Sequence, residues 1–216
     1  MREQLYCNEV GSYPATAATT VKRLPDRAHY DRATVHAILD EALVCHVGFV
    51  HDGRPVVIPT TFVRVDETLY VHGSPASRML RALSGDLDVC VTVTLLDGLV
   101  LARSTVHHSM NYRSVVVIGR ARRVDDLAAR DAALRALVEH VVPGRTAQAR
   151  AATEKELRGT LVLAVDLEHV SAKVRTGGPL DDEADLSLPV WAGEIPLHVL
   201  RGAPVPHAPL AHDRTP

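Results

Sequence analysis

Long hydrophobic runs are missing from this 216-residue chain: the longest, residues 161–165, holds five apolar residues in a row, against the ~20 that a bilayer-spanning helix needs. No membrane-crossing helix is expected. Cysteine is scarce, and Cys7, Cys45 and Cys90 are odd in number, far apart and without C-x-x-C spacing. That pattern supports neither a disulfide framework nor a zinc knuckle. The three read as reduced thiols, with Cys45 and Cys90 in apolar stretches as small core residues. Aromatic residues make up only 4% and include one Trp, so any aromatic stacking on a flat ligand falls to very few side chains. Excess charge is also absent: 24 Lys+Arg against 26 Asp+Glu leave a formal charge of −2, with no field to hold a polyanion such as nucleic acid. The 21 Arg to three Lys reflect base composition as readily as function. Glu3, Glu9 and a polar Ser/Thr/Ala stretch stand where a secretory leader would be apolar, and the expected setting is cytoplasmic.

What the chain does have is length for one domain with appendages, and 46% apolar residues to fill its core. Residues 1–25, with Gly11, Pro14 and Pro25 and no sustained period, read as an N-terminal arm whose order would need a partner surface. The domain is expected over 26–200, and 201–216 as a C-terminal tail. Val35, Ile38, Leu39 and Ala42 recur at helical spacing after Asp31, a fitting N-cap. Two β-rich runs, 43–50 and 55–63, flank Asp52-Gly53, a tight-hairpin signal. A strand over 68–72, a helix over 75–83, and a second hairpin of 89–95 and 99–105 around Asp97-Gly98 follow. Then come a β-rich run over 112–124, a helix over 128–142, and strands at 161–167 and 170–174. About seven short strands without long crossovers predict a mainly β fold, an antiparallel barrel with helices at its ends.

Three segments concentrate chemistry. In the first, His72-Gly73-Ser74-Pro75-Ala76-Ser77-Arg78, a strand passes through glycine into a helix start. Ser74 fits the N-cap and Pro75 the first helical position, and free N–H groups with Ser77 and Arg78 form a cradle suited to phosphate. In the second, His107-His108-Ser109-Met110-Asn111-Tyr112-Arg113-Ser114, polar groups crowd beside a core strand. Adjacent histidines on a strand point to opposite faces, so no metal site is expected there. In the third, Lys173 and Arg175 share one strand face, and Trp191 follows in a Pro- and acid-rich segment. No Gly-x-Ser-x-Gly elbow anchors a nucleophile.

The helix and hairpin ending in Val57-Ile58-Pro59-Thr60-Thr61-Phe62, the strand Leu69-Tyr70-Val71-His72-Gly73-Ser74 and the Ser77-Arg78 helix start occur in a telling order. In that order and spacing the chain resembles the FMN-binding split-barrel superfamily that includes pyridoxamine 5′-phosphate oxidase, near its nitroimidazole-resistance (Nim) branch. The resemblance covers about residues 25 to 200. It implies a homodimer of split barrels with cofactor sites at the interface, a small-molecule substrate, and an FMN-dependent oxidoreductase activity. The flavin-contacting strand maps onto Ile58, Pro59, Thr60 and Thr61, and the phosphate-binding residues onto Ser77 and Arg78, with Ser74 beside them at the cofactor. His72 matches a histidine that the Nim branch places beside the flavin, where it is expected to act on the flavin's protonation. Arg113 and Ser114 match a polar contact from a neighbouring strand, with Lys173, Arg175 and Trp191 in the closing segment. Met79 follows Arg78 where many relatives carry Lys, and the Arg-x-His pattern of the vitamin B6 oxidases is absent, so that activity is not expected. Deazaflavin and haem are alternative cofactors in this superfamily. A noncatalytic flavin- or haem-binding protein, with His107 or His108 as iron ligand, is the alternative function, and a cofactor-free scaffold is a third.

Overall fold

In the computed structural model, which describes residues 11–85, 87–205 and 207, ten antiparallel strands form one strongly bent, unclosed sheet. The strands are β1 (Ala28–His29), β2 (Val44–His51), β3 (Arg54–Val65), β4 (Thr68–Gly73), β5 (Asp88–Leu101), β6 (Ser109–Arg120), β7 (Arg122–Arg123), β8 (Leu161–Asp166), β9 (His169–Arg175) and β10 (Gly193–Pro196). Their order is β1-β9-β6-β5-β2-β3-β4-β8-β7, with β10 added to the far end of β5. Four helices accompany them: α1 (Arg32–Glu41), α2 (Arg78–Leu83), α3 (Leu127–Val141) and α4 (Glu154–Arg158). This is the split-barrel arrangement anticipated from the sequence, with more strands than the seven expected. Cys7, Glu3, Glu9 and most of the expected tail lie outside the described residues.

β3 makes the split. It pairs with β2 from Arg54 to Thr61 and with β4 from Phe62 to Val65, so the sheet turns its corner between Thr61 and Phe62. Phe62, Val47, Val91, Val93, Val115, Val117 and Leu163 fill the inside, closed at one end by Val35, Ile38 and Leu39 of α1. α1 starts at Asp31 as its spacing requires, the Asp31 carboxylate accepting from the Thr34 N–H at 2.8 Å. β8 is buried on both faces because α3 covers its outer side over Val162 and Ala164, hence the continuous apolar run.

Three expectations are corrected, and two features were not expected. Residues 11–24 of the supposed arm pack on their own domain: Tyr13 is 3% exposed within the main core, and its N–H donates to the Tyr30 carbonyl at 2.8 Å. Asp97-Gly98 does not make a hairpin, since β5 runs straight through it with a bulge between Leu96 and Gly98, and its partner across the turn is β6. Gly98 serves instead for close approach: a Cβ there would meet the Ile195 carbonyl oxygen of β10 at 3.1 Å. The helix expected from Pro75 begins at Arg78, as Ser74–Ser77 form a turn closed by the Ser77 N–H on the Ser74 carbonyl at 2.9 Å. Pro75 presets the second position of that turn. Finally, β10 and the capping box of α4 (Thr153 with Glu156) were not anticipated.

Candidate functional site

Alternation along β3 divides its four expected flavin contacts. Ile58 packs against the core, and Thr60 shares its face; Pro59 and Thr61 point the other way, beside the exposed Val57. On β4, Val71 is buried in the core, which turns His72 to the opposite face. There the ring is half-buried, and its Nδ1 is buried without a hydrogen-bond partner. Burial lowers the His72 pKa below its ordinary value of 6.5, so the imidazole is neutral at pH 7. Gly73 then lets α2 seat closely, since a Cβ on it would meet Leu80 Cδ1 at 2.9 Å. The turn that follows presents Ser74 and Arg78 to solvent, with Ser77 half-buried between them. The Ser74 hydroxyl accepts from the Ala76 N–H at 3.1 Å, and the Ser77 side chain makes no cap.

Arg113 and Ser114 are separated by the same strand alternation. Arg113 sits at the end of the inward face, and its guanidinium is gripped by two acids. Nε donates to Asp97 at 3.0 Å, Nη2 to Asp97 at 2.7 Å and to Glu41 at 2.8 Å, and Nη1 to Glu41. The pairing raises the Arg113 pKa and lowers that of Glu41. This fork is committed to tying α1, β5 and β6 together. Ser114 lies outward, donating to the Lys173 carbonyl at 3.2 Å. Lys173 in turn reaches the Arg23 carbonyl at 3.0 Å. Arg175, 6% exposed, donates to Asn111 and to the carbonyls of Gly177 (2.8 Å) and Gly178 (2.9 Å). Trp191 is 62% exposed, and its ring folds back over Gly193.

The structure thus brings His72, Gly73 and the Ser74–Arg78 turn into one continuous piece, and places Ser114, Lys173 and Arg175 together on β6 and β9. His107 and His108 lie in the turn before β6, bonded to Asp182 (3.2 Å) and to the Ser104 carbonyl (3.0 Å) respectively. Among the described residues no three His, Cys, Asp or Glu side chains group as a metal site. Cys45 is a core residue whose thiol is pushed up to about 12 by burial, which makes it a poor nucleophile. The sequence reading missed the outward face of β2, where His46 stands among Val44, Val50 and the neighbouring Val57, which are 46%, 62% and 61% exposed.

The model of the family described as pyridoxamine 5′-phosphate oxidase matches residues 31–174. The chain belongs to the pyridoxamine 5′-phosphate oxidase family. Two solved structures are similar to this oxidase-family chain along nearly its whole length. The flavocytochrome Anf3 of Azotobacter vinelandii is 43% identical, covering 93% of this chain and 94% of that one at a TM-score of 0.85. The FAD and heme binding protein of Mycobacterium smegmatis is 37% identical, covering 88% and 94% at 0.84. A 5-nitroimidazole antibiotic resistance protein of Bacteroides thetaiotaomicron shares the oxidase-family fold, at 24% identity over 68% and 86% of the chains and a TM-score of 0.57. No curated protein matches.

Proposed function

We propose that this chain is a homodimeric flavin- and haem-binding electron-transfer protein, an oxidoreductase acting on an unidentified small molecule in the cytoplasm. Two relatives similar along nearly its whole length are a flavocytochrome and a protein that binds FAD and haem, and the second of these favours FAD over FMN as the flavin. The observation in this structure that fits such groups is His72: a half-buried imidazole, kept neutral, with a ring nitrogen that no group among the described residues satisfies. Unsatisfied buried polar atoms are rare in folded proteins and call for a partner. The free thiols of Cys45 and Cys90 suit a reducing compartment.

A bound flavin would supply a centre for one- or two-electron transfer, and a haem a one-electron centre. The chain's own residues orient and tune them. Ser77 and Arg78 stand at the end of the His72 strand, with no acid among the described residues paired to Arg78, and they suit a phosphate group. His72 can accept or donate a hydrogen bond beside a ring without adding charge at pH 7, and so sets the cost of protonation nearby. The uncovered valines of β2 and β3 suit a second copy, which would exclude water from the adjoining site. Cofactor extracted from the purified protein should contain FAD, identified by chromatography, and haem, identified by its pyridine adduct. Release of FMN alone would return the assignment to a simple FMN protein, and release of neither would overturn it.

A further inference from the structure

A pocket of about 280 Å³ opens at the end of β9, with four strands between it and β4 in the sheet order, and is lined by Arg23, Arg27, Arg175, His107, His108 and Ser109 among others. Its charge is one-sided. Arg175 is 6% exposed, yet among the described residues its fork is accepted only by neutral oxygens, and its Nε has no partner. Burying a guanidinium without an opposing charge is costly. Arg130 makes the contrast: equally buried, it satisfies Nε and both Nη groups on the carbonyls of Val124 and Leu157, and does not line this pocket. Arg23 and Arg27 have no side-chain hydrogen bond or ion pair within the described residues. The nearby acids are otherwise engaged: Asp181 by Arg103, Asp182 by His107, and Glu194 by Asn111.

The wall that carries the two free arginines is also held in place. Lys173 grips the Arg23 carbonyl, and Leu24 adopts a left-handed backbone (φ 56°, ψ 62°) that a non-glycine residue rarely takes. On the far wall, the Arg103–Asp181 pair fixes the segment bearing Leu180, and the Arg175 fork fixes the turn at Gly177 and Gly178. A preformed pocket presenting three guanidiniums suits a ligand with two or more negative charges and several acceptor oxygens. A monocarboxylate would leave two of the cations unanswered. The volume admits a head group, not a whole dinucleotide.

We propose that the pocket between Arg23, Arg27 and Arg175 is a second anion site that binds a diphosphate group. Such a group has two sources, a free diphosphate compound or the diphosphate of a bound FAD; only the second rests on the flavin assignment above, and it would place the flavin's phosphates here and leave the Ser77–Arg78 turn to another anion. The test uses the purified full-length chain and its R23A/R27A variant, whose replaced side chains make no hydrogen bond or ion pair among the described residues. Inorganic pyrophosphate is titrated calorimetrically at fixed ionic strength, and the FAD and FMN content of both proteins is measured. Binding of pyrophosphate by the wild type, weakened at least about tenfold in the variant, establishes a site for free diphosphates. A wild type that takes no pyrophosphate, with a variant that loses FAD but retains FMN, assigns the pocket to the cofactor's own diphosphate. If the two proteins agree in both measurements, the proposal is overturned. Pyrophosphate binding to a colourless protein would still support the site while the flavin assignment failed.

Discussion

At the scale of single residues, burial and pairing decide what each candidate can do. His72 is held neutral, which has a thermodynamic consequence. Its pKa is lowered in the folded protein relative to 6.5, so the unfolded chain binds more protons and stability falls as pH drops through about 6.5 toward the lowered value. Above 6.5 the two states agree and the effect vanishes. Between pH 7.5 and 5, thermal unfolding of the wild type should therefore weaken more than that of His72→Asn; parallel curves would show that burial of this ring is not felt. In the flavin-loaded protein, His72→Ala should keep most of the bound flavin and change the pH dependence of its reduction, read by redox titration. Superimposable titrations would leave His72 a structural residue at a strand end.

Arg113 was expected to touch the cofactor, and its placement leads to a different expectation. With Glu41 and Asp97 occupying its donors, Arg113→Ala should cost about 1–3 kcal/mol of stability and leave flavin affinity unchanged. The clamp holds Glu41 below its ordinary 4.5, so its contribution is present above that pH and is lost as pH falls through the lowered value. Denaturant unfolding at pH 7 and pH 3.5 reads both. Loss of flavin with unchanged stability would put Arg113 at the cofactor after all.

Elements were legible where the signal is local. α1 follows from a cap and a four-residue apolar spacing, and the first hairpin from Asp52 and Gly53, which both take positive φ (49° and 70°) as a tight turn requires. Asp97-Gly98 carries the same dipeptide but answers to β10, nearly a hundred residues later, and no local rule shows that contact. The Arg113 clamp was hidden for the same reason, its Glu41 partner being 72 positions away. For the site, the His72–Arg78 segment was readable because one strand, one glycine and one turn build it. The Arg23–Arg27–Arg175 pocket was not, because the N-terminal segment that closes it has no period of its own. The helix-start turn carries its own prediction. Arg78→Ala should weaken binding of a phosphorylated flavin by ~1.5–3 kcal/mol, the range for a hydrogen bond to a charged group. Riboflavin affinity should not change; equal losses for both would mean that Arg78 does not read the phosphate.

For the whole molecule, the open sheet leaves its outward face unfinished. Val44, Val50 and Val57 are exposed there, and Val199, Leu200 and Val205 of the closing segment are 99%, 86% and 90% exposed. Apolar groups left in water at two places on one chain are what a partner of the same kind would cover, at a burial typical of obligate dimers, roughly 2,000 Å² or more. In the proposed function, pairing, cofactor enclosure and electron transfer would belong to one assembly. Sedimentation velocity at micromolar protein, followed in the flavin band near ~450 nm and the haem Soret band near ~400 nm, tests this directly. Both absorbances should sediment together at the mass of two chains; a coloured monomer, or a colourless protein that ignores added FAD, FMN and haem, would contradict the account.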